Sequence, residues 1–278
     1  MLKTIAIVAA AVVAFAGAYV AWSYWRLSAA IDADFRRLVT AARPAGTIVT
    51  AAMLASLPEP ARRYLSHSGV TGRPIPSVVR VTQRGQIRSA ADAGWMNLEA
   101  EETYTTDPPG FVWRAAFPRK GLPFVLGRDL YVEGSGSILM MMAGVMAVAD
   151  EHGPELGAAG LMRYLNEMMW FPAAFLGPNV TLAPADADSF TATIADRGLS
   201  AKATIFVNAE GDITNFRALR YNTATRSIET WETPISAYGE YAGLRLPARG
   251  AAVWKLASGD FTYIELDILA VAYDAPLP

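Results

Sequence analysis

The longest apolar run of the chain lies at its N-terminus. After Lys3, no charged residue occurs between positions 4 and 25. At ~1.5 Å per residue a helix of this length crosses a ~30 Å hydrocarbon core. The run closes on Trp22, Tyr24 and Trp25, which are residue types typical of the aromatic belt at a membrane interface. The pattern predicts a membrane-spanning helix.

A signal sequence is the alternative for residues 1–26. The segments 14–16 and 16–18 carry the small-x-small pattern that signal peptidase recognises. The apolar run exceeds the roughly 7–15 residues of a typical cleaved signal, which favours a retained single-pass anchor or an uncleaved signal. A signal anchor leaves the following domain outside the cytoplasm. We therefore expect a membrane localisation with an extracytoplasmic C-terminal domain.

Residues 27–75 predict a helical linker and cap. Leu27, Ile31 and Phe35 recur at four-residue spacing and form one apolar stripe. This stripe extends the predicted span outward as an amphipathic helix. Further along, Pro60 suits the first turn of a second helix and Gly69 suits its C-terminal cap.

From Pro76 onward the period of the apolar positions changes from 3.6 to 2. Alternating apolar and polar residues predict half-buried strands. The predicted strands cover residues 79–88, 96–104, 190–194, 200–208, 213–221, 228–236, 244–256 and 261–273. Few helical segments separate them, which indicates antiparallel pairing. For residues 76–278 we predict a mainly β (α+β) domain, a curved antiparallel sheet or half-barrel with a few covering helices, preceded by the N-terminal transmembrane helix.

Two segments interrupt this alternation. Residues 138–149 are uncharged and contain four methionines, but twelve residues are too few to span a bilayer. We predict a buried element there, either strand or helix. A helical insertion is predicted near residues 155–172, with Arg163 and Glu167 paired at i,i+4 spacing and Pro172 as the stop.

Composition excludes several classes of function. The 24 basic and 26 acidic residues leave no net field that would attract nucleic acid. The absence of cysteine excludes disulfides, thiolate metal sites and cysteine nucleophiles. A hydrophobic content of 53% excludes disorder and supports a substantial core.

No catalytic or cofactor motif stands out. His67 and His152 lack the spacing of metal ligands. The segment 134–138 contains serine but lacks the final glycine of a nucleophile elbow, and no Walker or dinucleotide fingerprint occurs. We expect neither a cofactor nor a metal, and the sequence leaves enzymatic activity undecided.

The candidate binding residues are inward-facing carboxylates and adaptable apolar side chains. Glu102 occupies the apolar face of a predicted strand, so it needs a partner or a cavity, whereas Glu101 points to the opposite face. Aromatic residues and methionines adapt to irregular lipophilic ligands. The predicted ligand-binding residues are Glu102, Trp113, Phe117, Asp129, Met140, Met142, Arg163, Glu167, Trp170 and Trp231.

Several separated blocks resemble an uncharacterised bacterial family of membrane-associated proteins with a domain of unknown function. The blocks are LPEPARRYLSHSGVTGRPIP, QRGQIR, TYTTDPPGFVW, GRDLYVEGSG, GLMRYLNEMMWFPAAF and YGEYAGLRLPARGAAVWKL, spread over most of residues 57–273. That family has no assigned activity, so the resemblance implies an architecture. The last block, a GLRLP turn followed by two long strands, is also similar to lipoprotein carriers of the LolA/LolB type. This second resemblance implies a curved sheet wrapped around helices and an apolar cavity.

Three functional hypotheses follow. The first is a membrane-tethered envelope protein that binds a lipid or other apolar molecule in its β half-barrel, with the membrane as its partner through the N-terminal helix and no nucleic acid. The second is an envelope enzyme that uses Glu102, Asp129, Arg163 and Glu167. The third is a scaffold for a partner protein, which an exposed apolar patch would favour over an enclosed pocket.

Overall fold

The structure is a computed structural model that describes residues 1–44, 46–119 and 122–275. The helices within these residues are α1 (Leu2–Ala41), α2 (Ala51–Ala55), α3 (Glu59–Ser68) and α4 (Pro154–Glu167), followed by 3₁₀ turns at Met168–Trp170 and Pro172–Leu176. The strands are β1 (Val78–Ile87), β2 (Met96–Thr106), β3 (Pro109–Arg119), β4 (Leu122–Val132), β5 (Ser135–Met142), β6 (Met146–His152), β7 (Val180–Asp186), β8 (Ser189–Asp196), β9 (Leu199–Val207), β10 (Ile213–Asn222), β11 (Ser227–Glu232), β12 (Ile235–Tyr241), β13 (Leu244–Leu256) and β14 (Gly259–Tyr273).

All the strands belong to one antiparallel sheet. The strand order is β6-β5-β4-β3-β2-β1-β14-β13-β11-β10-β9-β8-β7, and β12 pairs with β13 beside this path. The sheet is curved, because α4 packs against β5 near one end of the sheet and against β9 and β10 near the other. The predicted mainly β fold, a curved antiparallel half-barrel with covering helices behind an apolar N-terminal helix, is confirmed.

The inner face of the sheet carries the main core. Residues at every second position of a strand point inward, so Phe216 and Ala218 of β10 are buried while the alternate residues Arg217 and Leu219 are exposed. The largest fully buried side chains are mostly aromatic. Around Tyr104, the ring centroids of four other aromatic residues lie within 7 Å of its own: Phe111, Tyr164, Trp170 and Phe171. This aromatic core lies between the sheet and α4.

Helix α1 has two different halves. Residues 1–22 are exposed throughout, and α1 is long and apolar enough to cross a membrane. Its second half packs on the outer face of the sheet, where Ile31, Phe35 and Leu38 contact Val112, Leu126 and Val132. Arginines of the sheet also pair with acidic residues of α1, as in Arg128 with Asp34 at 3.0 Å. The helix is therefore one rigid element that belongs half to the domain and half to the predicted span.

The methionine-rich segment 138–149 forms most of the β5–β6 hairpin. Of the two elements that its sequence allowed, strand and helix, it is therefore strand. The prediction that it is buried was wrong for its second half, since Val145, Met146 and Val148 are 42%, 51% and 52% exposed. The physical reason is the place of β6 in the sheet. Among the strands that the structure describes, β6 lies at the end of the order and pairs only with β5.

Candidate functional site

A cavity of about 600 Å³ lies between the inner face of the sheet and α4. This volume falls within the ~300–1,000 Å³ range of small-molecule pockets. The wall is mostly apolar and includes Trp113, Met140, Met169, Trp170, Trp231, Trp254, Phe261, Tyr263, Ile264, Leu266 and Ile268. Such a lining suits an aliphatic or aromatic ligand, because it offers dispersion contacts and few polar groups.

Arg163 forms the polar part of the cavity wall, surrounded by three carboxylates. Its Nε lies 2.8 Å from Oε1 of Glu167, its Nη1 lies 2.6 Å from Oδ2 of Asp129, and its Nη2 lies 2.8 Å from Oε1 of Glu102. We call these four residues the Arg163 cluster. All four side chains are nearly inaccessible to solvent. The cluster joins α4 to β2 and β4 through buried charge-assisted hydrogen bonds, which are the stronger kind.

A second set of contacts holds the Arg163 cluster in place. The second carboxylate oxygen of Glu102 accepts a hydrogen bond from Nε2 of Gln83 at 3.1 Å, and Oε1 of Gln83 accepts one from the indole of Trp113 at 3.1 Å. The guanidinium of Arg163 also lies over the rings of Phe111 and Trp113, 4.8 Å and 5.2 Å from their centroids. Trp113 is therefore both cavity wall and support for the cluster.

The local sequence explains why these groups meet. Ala100, Glu102 and Tyr104 share the inward phase of β2, whereas Glu101 points outward and pairs with Arg114 at 3.0 Å. On α4, residues four apart lie on the same helix face. The i,i+4 spacing thus brings Glu167 to Arg163, and strand phase brings Glu102 and Asp129 to the same guanidinium.

The Arg163 cluster holds three carboxylates and one guanidinium. Burial raises the pKa of Glu102 well above its ordinary value, and Arg163 opposes this rise only in part. Burial likewise raises the pKa of Glu167. For Arg163, burial disfavours the charged guanidinium, but its carboxylate partners outweigh burial and raise its pKa. The glutamates therefore hold a proton more firmly than they would in water.

Glu167 is the member of the Arg163 cluster with an unpartnered oxygen. Its side chain contributes to the cavity wall, but its Oε2 is buried and has no hydrogen-bond partner among the residues that the structure describes. Because this oxygen is inaccessible even to water, a ligand reaches it only if neighbouring side chains move.

The structure brings together most of the residues that the sequence singled out. Seven of the ten line the cavity: Trp113, Asp129, Met140, Arg163, Glu167, Trp170 and Trp231. Three do not. Glu102 lies behind Arg163 with its side chain fully buried. Phe117 is a core residue whose ring meets that of Trp113 edge-on at 6.5 Å, and Met142 lies opposite Val125 near the hairpin turn.

Three arginines of the cavity wall were missed, Arg88, Arg220 and Arg249. Arg220 lies 4.7 Å over the ring of Trp231 and donates a hydrogen bond to the carbonyl of Ala159 at 3.2 Å. Arg88 lies 4.5 Å over the ring of Trp95. The alternation along β10 could have identified Arg220, which is in phase with buried Ala218. Arg88 follows the end of β1, where the alternation stops.

Strand register shows where the cavity opens. The connections β1–β2, β10–β11 and β13–β14 all contribute lining residues. Antiparallel pairing of β2, β1, β14, β13, β11 and β10 places these three connections one after another along the same edge of the sheet. The β5–β6 turn lies further along this edge. We call this edge the loop edge.

Helix α1 crosses the sheet from the loop edge to the opposite edge. At the loop edge, Gly144 of the β5–β6 turn packs against the backbone of α1, where an added Cβ would lie 2.7 Å from the nitrogen of Tyr24. At the opposite edge, Leu38 reaches Gly110 at the start of β3. The exposed residues 2–22 therefore extend beyond the loop edge.

Neither histidine joins the cavity. His67 lies 3.3 Å from Asp212, and His152 lies 3.4 Å from Asp150 on the surface. No group of three potential ligands with the geometry of a metal site occurs among the described residues.

The chain belongs to a family of unknown function, DUF6544, which its residues 47–266 match. It is similar in structure to a DUF1329 family protein from Desulfovibrio piger, with 9% identity, a TM-score of 0.45, and coverage of 84% of this chain and 96% of that one. A putative outer membrane lipoprotein-sorting protein domain from Vibrio parahaemolyticus has 8% identity and a TM-score of 0.43, with coverage of 79% of this chain and 93% of that one. A LolA superfamily protein from Nitrosomonas europaea has 12% identity and a TM-score of 0.43, with coverage of 84% of this chain and 96% of that one. No curated protein matches the sequence.

Both resemblances predicted from the sequence are thus found, one to a family of unknown function and one to lipoprotein carriers of the LolA type. At these identities and TM-scores the structural likeness carries no argument about function. The cavity and α1 instead point to the function.

Proposed function

We propose that this protein is tethered to a membrane by α1 and binds a lipid or another apolar molecule of the cell envelope in its cavity. The observation that carries the proposal is the apolar lining of an internal space of about 600 Å³. Each CH₂ group moved from water into such a lining contributes ~0.8 kcal/mol. Retention therefore rises roughly fourfold per added CH₂.

The tether is supported by the way α1 is built into the domain. The helix continues without interruption through residues 14–18 and on to Ala41. Its second half buries Ile31, Phe35 and Leu38 against the sheet. A retained anchor with an extracytoplasmic domain would hold the cavity close to membrane lipids. The apolar lining of this cavity favours ligand binding over a role as a protein scaffold.

Quenching of tryptophan fluorescence by a brominated lipid tests the proposal. Trp113, Trp170, Trp231 and Trp254 line the cavity. With Trp22, Trp25 and Trp95, which lie outside the cavity, replaced by phenylalanine, we expect a phospholipid brominated in mid-chain to quench the remaining emission and to saturate at one lipid per chain. Bromine quenches only at short range, so this emission loss reports lipid inside the cavity.

The matched control is the same lipid without bromine, which should leave the emission intensity nearly unchanged. Adding Trp231→Phe and Trp254→Phe should remove a large share of the quenchable signal. If the brominated lipid, at saturating concentration, does not quench the tryptophans of the cavity, the proposal is wrong.

Enzymatic action on an envelope lipid is the second candidate, because the structure gathers Glu102, Asp129, Arg163 and Glu167 at one place. The raised pKa of Glu167 suits a general acid, although its unpartnered oxygen is buried out of reach of a ligand in the cavity. Against this candidate, all three nitrogens of the Arg163 guanidinium are engaged by carboxylates. These contacts commit three of its five N–H donors to protein carboxylates.

Glu167→Gln separates the two candidates. The amide keeps the shape of the side chain but cannot transfer a proton. We expect the wild type and Glu167→Gln to co-purify with the same lipid species in similar amounts, as a binding protein would. A chemically altered lipid in the wild-type extract and its unaltered precursor in the variant extract would instead establish the enzyme.

A further inference from the structure

We propose that the loop edge faces the bilayer from which α1 emerges, with the β5–β6 turn immersed in the membrane interface, so that lipid enters the cavity directly from the membrane. This inference rests on the proposed tether. The loop edge is then the surface of the domain that contacts the membrane, and the ligand enters the cavity across it.

The depth of the β5–β6 turn follows from its contact with α1. Tyr19, Trp22 and Trp25 mark the end of the apolar run, and residues of these types collect at the headgroup level. Gly144 packs on the backbone of Tyr24 within that same helical turn. Its φ of +71° and its lack of a side chain permit this close approach. The turn therefore lies at the level of the interface when α1 spans the bilayer.

The side chains around the turn are those that an interface would cover. Val145, Met146 and Val148 are exposed on the hairpin, and Phe124 of neighbouring β4 is 36% exposed. Exposed apolar residues on an unpaired edge strand are an aggregation hazard in water. Contact with the acyl boundary removes these residues from water and contributes roughly 25 cal/mol per Å² of apolar surface buried.

Backbone chemistry limits how far the hairpin enters. Strand β6 is the last strand of the sheet, so about half of its backbone N–H and C=O groups have no partner in a strand of the described part of the chain. Unpaired backbone groups are not tolerated in the hydrocarbon core. The turn and the first residues of β6 therefore reach the interface, and the rest of the strand stays in water.

The cavity lies within reach of this contact. Its lining residues in the β1–β2, β10–β11 and β13–β14 connections lie along the loop edge, as does the β5–β6 turn. A lipid that leaves the bilayer beside α1 thus meets the open side of the cavity without crossing the whole domain. Direct transfer avoids exposing acyl chains to water, at ~0.8 kcal/mol per CH₂.

The chain contains no cysteine, so single cysteines can carry a spin label without further changes. We would label Val145→Cys, Ile48→Cys and Val12→Cys in the full chain reconstituted in phosphatidylcholine vesicles. Collision with oxygen and with a water-soluble nickel chelate then reports the depth of each label. Ile48 is a matched control, because it is an apolar residue 50% exposed beside Pro74, toward the opposite edge.

The expected result is lipid exposure at Val145 and Val12 and water exposure at Ile48. A water-exposed label at Val145, together with a lipid-exposed label at Val12, would overturn the inference and leave the tether intact. A water-exposed label at Val12 would overturn the inference together with the tether. Ligand binding in the cavity is judged separately by the quenching experiment.

Discussion

Replacing Arg163 by methionine is expected to lower the free energy of unfolding by about 3–5 kcal/mol at neutral pH. The substitution keeps the apolar stem but removes the only cation of the Arg163 cluster. Glu102, Asp129 and Glu167 would then face one another in a site that excludes water. Denaturation of the detergent-solubilised chain by urea, followed by far-ultraviolet circular dichroism, measures the loss.

The destabilisation by Arg163→Met should depend on pH. Burial raises the folded-state pKa of Glu102 and Glu167 above their unfolded values near 4.5, and the loss of Arg163 removes the charge that opposes this rise. The folded state then binds more protons than the unfolded state, so stability falls as pH rises through the raised values. The loss should be smaller at pH 5 than at pH 8. Adding Glu102→Gln to Arg163→Met should recover part of the stability at pH 8.

Arg37→Met is the matched control for this prediction. It breaks an arginine–carboxylate pair with Glu133 that is exposed on both sides. Exposed pairs contribute only ~0–1 kcal/mol. If Arg163→Met costs no more than Arg37→Met, or costs the same at both pH values, the Arg163 cluster does not hold α4 to the sheet.

Filling the cavity with Ala252→Trp is expected to reduce the co-purified lipid at least tenfold. Ala252 is 6% exposed and lies on the inner face of β13, in the cavity wall between Gly250 and Trp254. An indole at this position projects into space that the ligand would otherwise occupy. Lipid extraction and quantification by mass spectrometry measure the effect.

Ala270→Trp controls for the added bulk. Ala270 lies on the exposed face of β14, so the same substitution there leaves the cavity unchanged. Both variants should keep the wild-type circular dichroism spectrum, because the added indole of Ala252→Trp enters existing space. Equal lipid content in the two variants would mean that the bound lipid lies outside the cavity.

Periodicity predicted only part of the sheet. Strands with a clear alternation, such as β10, β13 and β14, were predicted close to their observed bounds. Strands β3, β4 and β7 were not predicted, and most of β12 was missed. The inward phase also singled out Glu102, and helical spacing singled out Arg163 with Glu167. These features depend on residues close together in the chain, which a sequence displays directly.

What could not be predicted depends on contacts between distant residues. Glu102 and Asp129 both contact Arg163 only because the register of β2, β3 and β4 and the position of α4 bring the three side chains together. Met142 has the chemistry of a cavity residue, but strand order places it beside the hairpin turn. The exposure of Val145 has the same origin, because the chain does not reveal which strand will lie at the edge.

The most direct test of cavity binding is native mass spectrometry of the full chain released from detergent micelles, for the wild type beside Ala252→Trp and Ala270→Trp. We expect one additional lipid mass on the wild type and on Ala270→Trp, and none on Ala252→Trp. A wild-type chain with no additional mass, which also takes up no added phospholipid, would contradict the account. So would a lipid mass that persists unchanged in Ala252→Trp.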